Sequence, residues 1–155
     1  MEAGNGKRET GTDRRAIRSY EDLEVYQRAM ELLVPLHAHV ITFPDYERFE
    51  LASQLRRASK AIPANIAEGY GKKTSSKEFK AYLNHALGSA NEVIVHLRIA
   101  ERLGYLGSGE TCELVAGYTI LAKQLFRLMQ TWQTFEAEAS KARPASRVPH
   151  LASNR

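Results

Sequence analysis

Residues 79 to 100 read FKAYLNHALGSANEVIVHLRIA, and the apolar members Phe79, Leu83, Ala86, Ala90, Val93, Leu97 and Ala100 recur at alternating intervals of four and three. At about 3.6 residues per helical turn, that spacing draws one stripe along one side of a rod. The stripe needs other apolar surfaces to cover it. Leu114, Tyr118, Leu121, Leu125, Leu128, Trp132 and Phe135 repeat the same rhythm downstream. Upstream, one segment runs through Leu23, Tyr26, Met30, Leu33, His37 and Val40 and stops at Phe43-Pro44; another runs through Leu51, Leu55, Ala58, Ile62 and Ile66 and stops near Gly69 or Gly71. The pattern predicts helices near 22–42, 47–70, 75–103 and 109–139.

Local punctuation agrees with these limits. Ser75 and Glu78 have capping-box spacing, Gly104 is suited to a left-handed helix terminus with Tyr105 folding onto the last turn, and Ser108 can cap the fourth helix. Short connections place neighbouring helices antiparallel. The expected fold is all-α, an antiparallel up-down-up-down four-helix bundle over residues 19–139.

The chain has 155 residues, of which 43% are hydrophobic and 26% charged, enough for one domain with a core. No apolar run reaches the ~18 residues of a membrane span, and the first thirty residues lack a signal-peptide core, so a cytoplasmic location is expected. The single cysteine, Cys112, excludes an intrachain disulfide and a thiolate metal cluster, and reads as a small buried or half-buried helix residue. The net charge of +4 is misleading by itself: residues 1–18 carry +2, residues 140–155 carry +4, and residues 19–139 carry −2. Both ends lack periodicity and read as flexible basic tails.

Two helices are apolar on opposite sides. Val25, Ala29, Leu32 and Leu36 lie across the first helix from the Leu23/Met30/Leu33 stripe, and Ala81, Gly88, Val95 and Ile99 lie across the third from the Phe79/Leu83/Leu97 stripe. A helix in a four-helix monomer needs one buried face, so these eight residues are candidates for contact between copies. The plainer alternative is that both helices sit under a tail. Charge is divided as well: residues 21–47 carry −5 and residues 48–80 carry +5. Such strips can face each other within one bundle or meet head to tail around a ring.

Residues 54–69 set polar groups and a proline into the second helix. Gln54, Ala58, Ala61, Asn65 and Glu68 form a row beside its apolar stripe, while Pro63 removes an amide and leaves the Ser59 carbonyl without its usual partner. Side chains of Asn65 or Ser59 can satisfy the freed groups. Asn65 and Glu68 thus read as structural hydrogen bonders first and as binding residues second.

Together with Tyr20-Glu21-Asp22-Leu23, Val25-Tyr26-Gln27, Phe43-Pro44, Glu78-Phe79, Leu83, Ala86 and Leu103-Gly104-Tyr105-Leu106, this block resembles the bacterial four-helix-bundle family named for the 23S rRNA intervening-sequence protein. The resemblance covers about residues 20 to 135. It implies a cytosolic bundle assembled as a ring of five subunits; members are often encoded inside insertions of the 23S rRNA gene. The accessory protein of diversity-generating retroelements, similar in fold, binds nucleic acid and a reverse transcriptase. Carried over by position, the family motif falls on Gln54, Arg57, Asn65, Glu68, Gly69, Phe79, Gly88, Ser89 and Glu92. Ala61 stands where the family often has a serine, and the basic tails lie outside the match.

Catalytic readings are weaker. His37 and His39 diverge on a helix, His85 and His96 are separated by about 16 Å of rise, and Glu92 with His96 has the spacing of a surface pair. Gly69–Thr74 lacks phosphate-loop spacing. No enzyme activity, metal or cofactor is expected. A nucleic-acid surface has more to offer: Arg56, Arg57 and Lys60 make a basic stripe, and Lys72, Lys73 and Lys77 surround the amides that open the third helix. No aromatic platform for reading RNA stands out. The expectation is a homo-oligomeric scaffold that binds RNA or DNA through phosphates. The alternative is a protein-binding ring with no nucleic-acid contact.

Overall fold

The computed structural model describes residues 16–142, with side chains through Trp132; the two predicted tails lie largely outside these limits. Four helices follow in order, α1 (Glu24–Val40), α2 (Leu51–Gly71), α3 (Ser76–Arg102) and α4 (Ser108–Ala142), and there is no strand among the described residues. Each helix packs on two neighbours in the cyclic order α1, α2, α3, α4, and the backbones of the diagonal pairs stay more than 8 Å apart between Cα atoms. Across α1 and α4, Gln124 Nε2 donates to Glu24 Oε1, Leu32 meets Gly117, and His39 lies near Glu110, so this pair runs in opposite senses.

The α3 stripe that opens the sequence reading is fully buried, as is the α2 stripe from Leu51 to Ile66. On α4, Leu114, Tyr118, Leu121 and Leu125 are buried, while Trp132 packs edge-on to Phe79 at 4.7 Å. Helix α1 is turned around relative to expectation. Val25, Ala29 and Leu36 are in the core with Leu32 packed against it; of the expected stripe Leu23 and Val40 are buried at its two ends, whereas Met30 in its middle is 43% exposed. Both stripes of α1 are apolar, so periodicity alone does not choose between them. The choice comes from α4: Gly117 has no side chain, and Leu32 Cδ2 lies 2.5 Å from where a Cβ there would sit. The four α1 positions expected between copies therefore hold the monomer together.

The helix ends differ in detail. A 3-10 turn over Tyr20–Asp22 precedes α1, with Ser19 Oγ accepting from the Glu21 amide at 3.1 Å and the Asp22 carboxylate accepting from the Arg18 and Ser19 amides. A second, Asp45–Glu47, precedes α2, and the Leu51 amide donates to the buried Glu47 carboxylate at 3.1 Å. Gly104 is left-handed (φ 79°), and Tyr105 N donates to Ala100 O while Gly104 N donates to Glu101 O, a Schellman end. The Tyr105 ring packs near Phe43 (5.5 Å) and its hydroxyl donates to Glu47 Oε1 at 3.0 Å. Gly107, not Ser108, precedes the first turn of α4, and its amide donates to Glu110 Oε2 at 3.2 Å. Cys112 is exposed, contrary to expectation, because α4 turns that side of its first turns away from α1 and α3.

Candidate nucleic-acid interface

Helices α2 and α3 are joined by a four-residue turn, Lys72 to Ser75, closed by the Lys72 amide on Gly69 O and the Ser75 amide on Lys72 O, both 3.0 Å. Ser75 Oγ accepts from the Glu78 amide at 3.3 Å and caps α3. The helices approach closely because of Gly69: a Cβ there would sit 2.6 Å from Tyr82 Cβ and 3.1 Å from Phe79 Cδ2. One residue earlier, Glu68 Oε1 accepts from the Tyr82 hydroxyl at 2.9 Å. Lys72 Nζ donates to the same hydroxyl at 2.7 Å and lies 3.6 Å from Glu68. That contact with Tyr82, followed by the nearby Glu68 charge, holds the Lys72 ammonium above its ordinary pKa.

The six basic residues expected to bind phosphate thus fall into two groups. Lys72 is engaged within the chain, and Arg56 Nη2 donates to Arg48 O at 2.7 Å. Arg57, Lys60, Lys73 and Lys77 are exposed and make no ion pair among the described residues. Lys73 Nζ sits 3.9 Å over the centre of the Tyr70 ring, which fixes its charge beside the turn.

The polar row on α2 is chiefly structural. Asn65 Nδ2 donates to Ala61 O at 2.8 Å, and Ser59 Oγ donates to Arg56 O at 3.1 Å, so neither bond reaches the Ser59 carbonyl freed by Pro63. His37 Nε2 lies 3.2 Å from Ser59 Oγ across the α1–α2 seam. Burial, with the charges of Lys60 and Arg56, lowers its pKa. Gln54 is exposed, Ser89 half-buried, and Glu92 lies 3.3 Å from His96.

On α3, Ala81, Gly88, Val95 and Ile99 all face outward, and a Cβ at Gly88 would have nothing within 4 Å. Phe126 and Leu103 extend this exposed apolar surface. Sequence reasoning missed three features: Pro35 inside α1, the Tyr82 hydroxyl at the hairpin, and the buried Glu47. Glu47 follows Pro44 outside any periodic stripe, so only its position four residues before Leu51 could have marked it as a cap.

No group of three metal-ligating side chains occurs among the described residues, and no helix is long and apolar enough to cross a membrane. What the fold and site define is an all-α four-helix bundle with a cationic hairpin. The chain belongs to the 23S rRNA-intervening sequence protein family, whose model matches residues 21–127. A crystal structure of a protein with unknown function from the S23 ribosomal protein family of Bacteroides thetaiotaomicron VPI-5482 is similar in fold, with a TM-score of 0.62 and 24% identity. The similarity covers 68% of this chain and 95% of that one. No curated protein matches.

Proposed function

We propose that this protein is a non-enzymatic, cytoplasmic scaffold that assembles from identical copies into a ring, five by family resemblance, and binds nucleic acid, RNA in the first instance, through its phosphates. The observation that carries the binding reading is the α2–α3 hairpin, where Lys73 and Lys77 hold uncompensated charge beside the capped start of α3. The family's name, which refers to an insertion in ribosomal RNA, favours RNA as the ligand. Assembly is supported by Gly88. A glycine within a helix costs about 1 kcal/mol relative to alanine, and no neighbour among the described residues accounts for it.

The test is binding of a structured RNA by Lys73→Ala/Lys77→Ala across a salt series. Wild-type affinity is expected to fall steeply with salt and the variant to lose both affinity and slope. Binding insensitive to salt, or none, overturns the reading. The second reading, a ring that docks a protein such as a reverse transcriptase, is favoured by the exposed apolar face of Val95, Ile99 and Phe126. A pull-down that survives nuclease treatment would select it.

A further inference from the structure

The corner between α1 and α2 exposes two aromatic rings: Tyr46 meets Tyr105 edge-on at 6.3 Å and accepts from its hydroxyl at 3.1 Å, and Phe49 packs on no other ring among the described residues. Phe49 is 84% and Tyr46 71% exposed. The Arg48 guanidinium lies over one face of the Phe49 ring, 5.5 Å from its centre, and leaves the other face open beside a fixed positive charge. Beside it opens a recess of about 270 Å³. Its floor is apolar, from Val40, Phe43 and Ala52, and its rim is formed by Asp45, Arg48 and Arg56. Arg56 is pre-positioned by its bond to the Arg48 carbonyl, and neither arginine forms an ion pair among the described residues.

We propose that this corner binds a single-stranded nucleic-acid segment, with one unstacked base in the recess, the next stacked on Phe49, and the intervening phosphate held by Arg48 and Arg56. Each part of the surface matches one part of a nucleotide. An apolar floor and an open ring accept base faces, guanidinium groups accept phosphate oxygens, and the Asp45 carboxylate accepts from base N–H groups. Guanine offers two such donors side by side on its Watson–Crick edge. A duplex hides both that edge and the base faces, so the corner selects single strands. A purely apolar partner would leave both arginines and the aspartate desolvated without compensation.

This inference rests on the nucleic-acid reading above but uses different residues, so the two can fail separately. The probe is a fluorescein-labelled, guanine-containing RNA of about 12 nucleotides, measured by anisotropy as a single strand and as a duplex. The single strand is expected to bind more tightly. Phe49→Ala should weaken it about tenfold, the loss of one stacked base, without changing the salt slope, and Phe49→Trp should restore it. Arg48→Ala should reduce the slope by about one phosphate contact. If Phe49→Ala binds like wild type while Lys73→Ala/Lys77→Ala weakens, the corner is wrong and the hairpin reading stands. If no RNA binds, both fall. If Phe49→Ala instead lowers the particle mass in light scattering, the corner joins copies and the inference is overturned.

Discussion

Two glycines of the family motif have opposite surroundings, and alanine separates them. At Gly69 an added methyl meets Tyr82 Cβ at 2.6 Å, on a side chain held in place by its bond to Glu68. Overpacking typically costs about 1–3 kcal/mol, more than the roughly 1 kcal/mol gained in helix propensity. Gly69→Ala is therefore expected to lower stability in urea denaturation. Gly88→Ala meets nothing within 4 Å and should raise the stability of the dilute monomer by about 1 kcal/mol. If copies pack there, the same methyl should weaken assembly. Sequence alone marks both positions as glycines inside helices. It does not say which has a neighbour, because the neighbour of Gly69 lies ten or more residues away on another helix.

At the scale of elements, the α1–α2 seam should respond to acid. His37 is held below its ordinary pKa of 6.5 first by burial and then by Lys60 and Arg56. The unfolded chain takes up that proton more readily than the fold, so the seam's contribution is complete above pH 6.5 and is lost as pH falls below it. Denaturation midpoints measured from pH 7.5 down to 5 should show this loss, and His37→Gln should flatten it. At the other end of α2, Glu47→Ala removes the acceptor of the Leu51 amide and of the Tyr105 hydroxyl. A buried, charged hydrogen-bonding group lost this way costs about 1–3 kcal/mol, so its thermal midpoint should drop while Glu47→Gln keeps part of the loss. These elements were unequally legible. Helices α2, α3 and α4 each have one dominant stripe, which the structure buries through Ile66, Ala100 and Leu125 respectively, while Phe135 lies outside the described side chains. Helix α1 has two, and the missing side chain of Gly117, far along the chain on α4, decides between them. The hairpin lysines could be named from sequence, but the bond that engages Lys72 could not, since Tyr82 lies off the stripe.

For the whole molecule, one apolar surface left uncovered among the described residues runs along α3 and the neighbouring side of α4. Val95 is 55%, Ile99 39% and Phe126 53% exposed. Arg98, Arg102, Lys123 and Arg127 border these residues, while the outer side of α1 presents Glu21, Glu24 and Glu31 beside Met30 and Val34. Unlike faces of this kind fit head-to-tail contacts, which close into rings when the rotation permits. Val95→Glu/Ile99→Glu is expected to give a folded particle of single-chain mass in sedimentation where the wild type is larger. A wild type already of single-chain mass would remove the assembly reading and leave the lysine hairpin to be judged alone.

The exposed thiol of Cys112, near the start of α4, gives each chain one natural attachment point for a spin label. Pulsed dipolar spectroscopy on labelled wild type would then need no engineered residue. A symmetric pair of chains yields a single spin–spin separation, whereas a closed pentagon yields two, the longer about 1.6 times the shorter. The symmetry of the particle could thus be read as a ratio, whatever the absolute spacing.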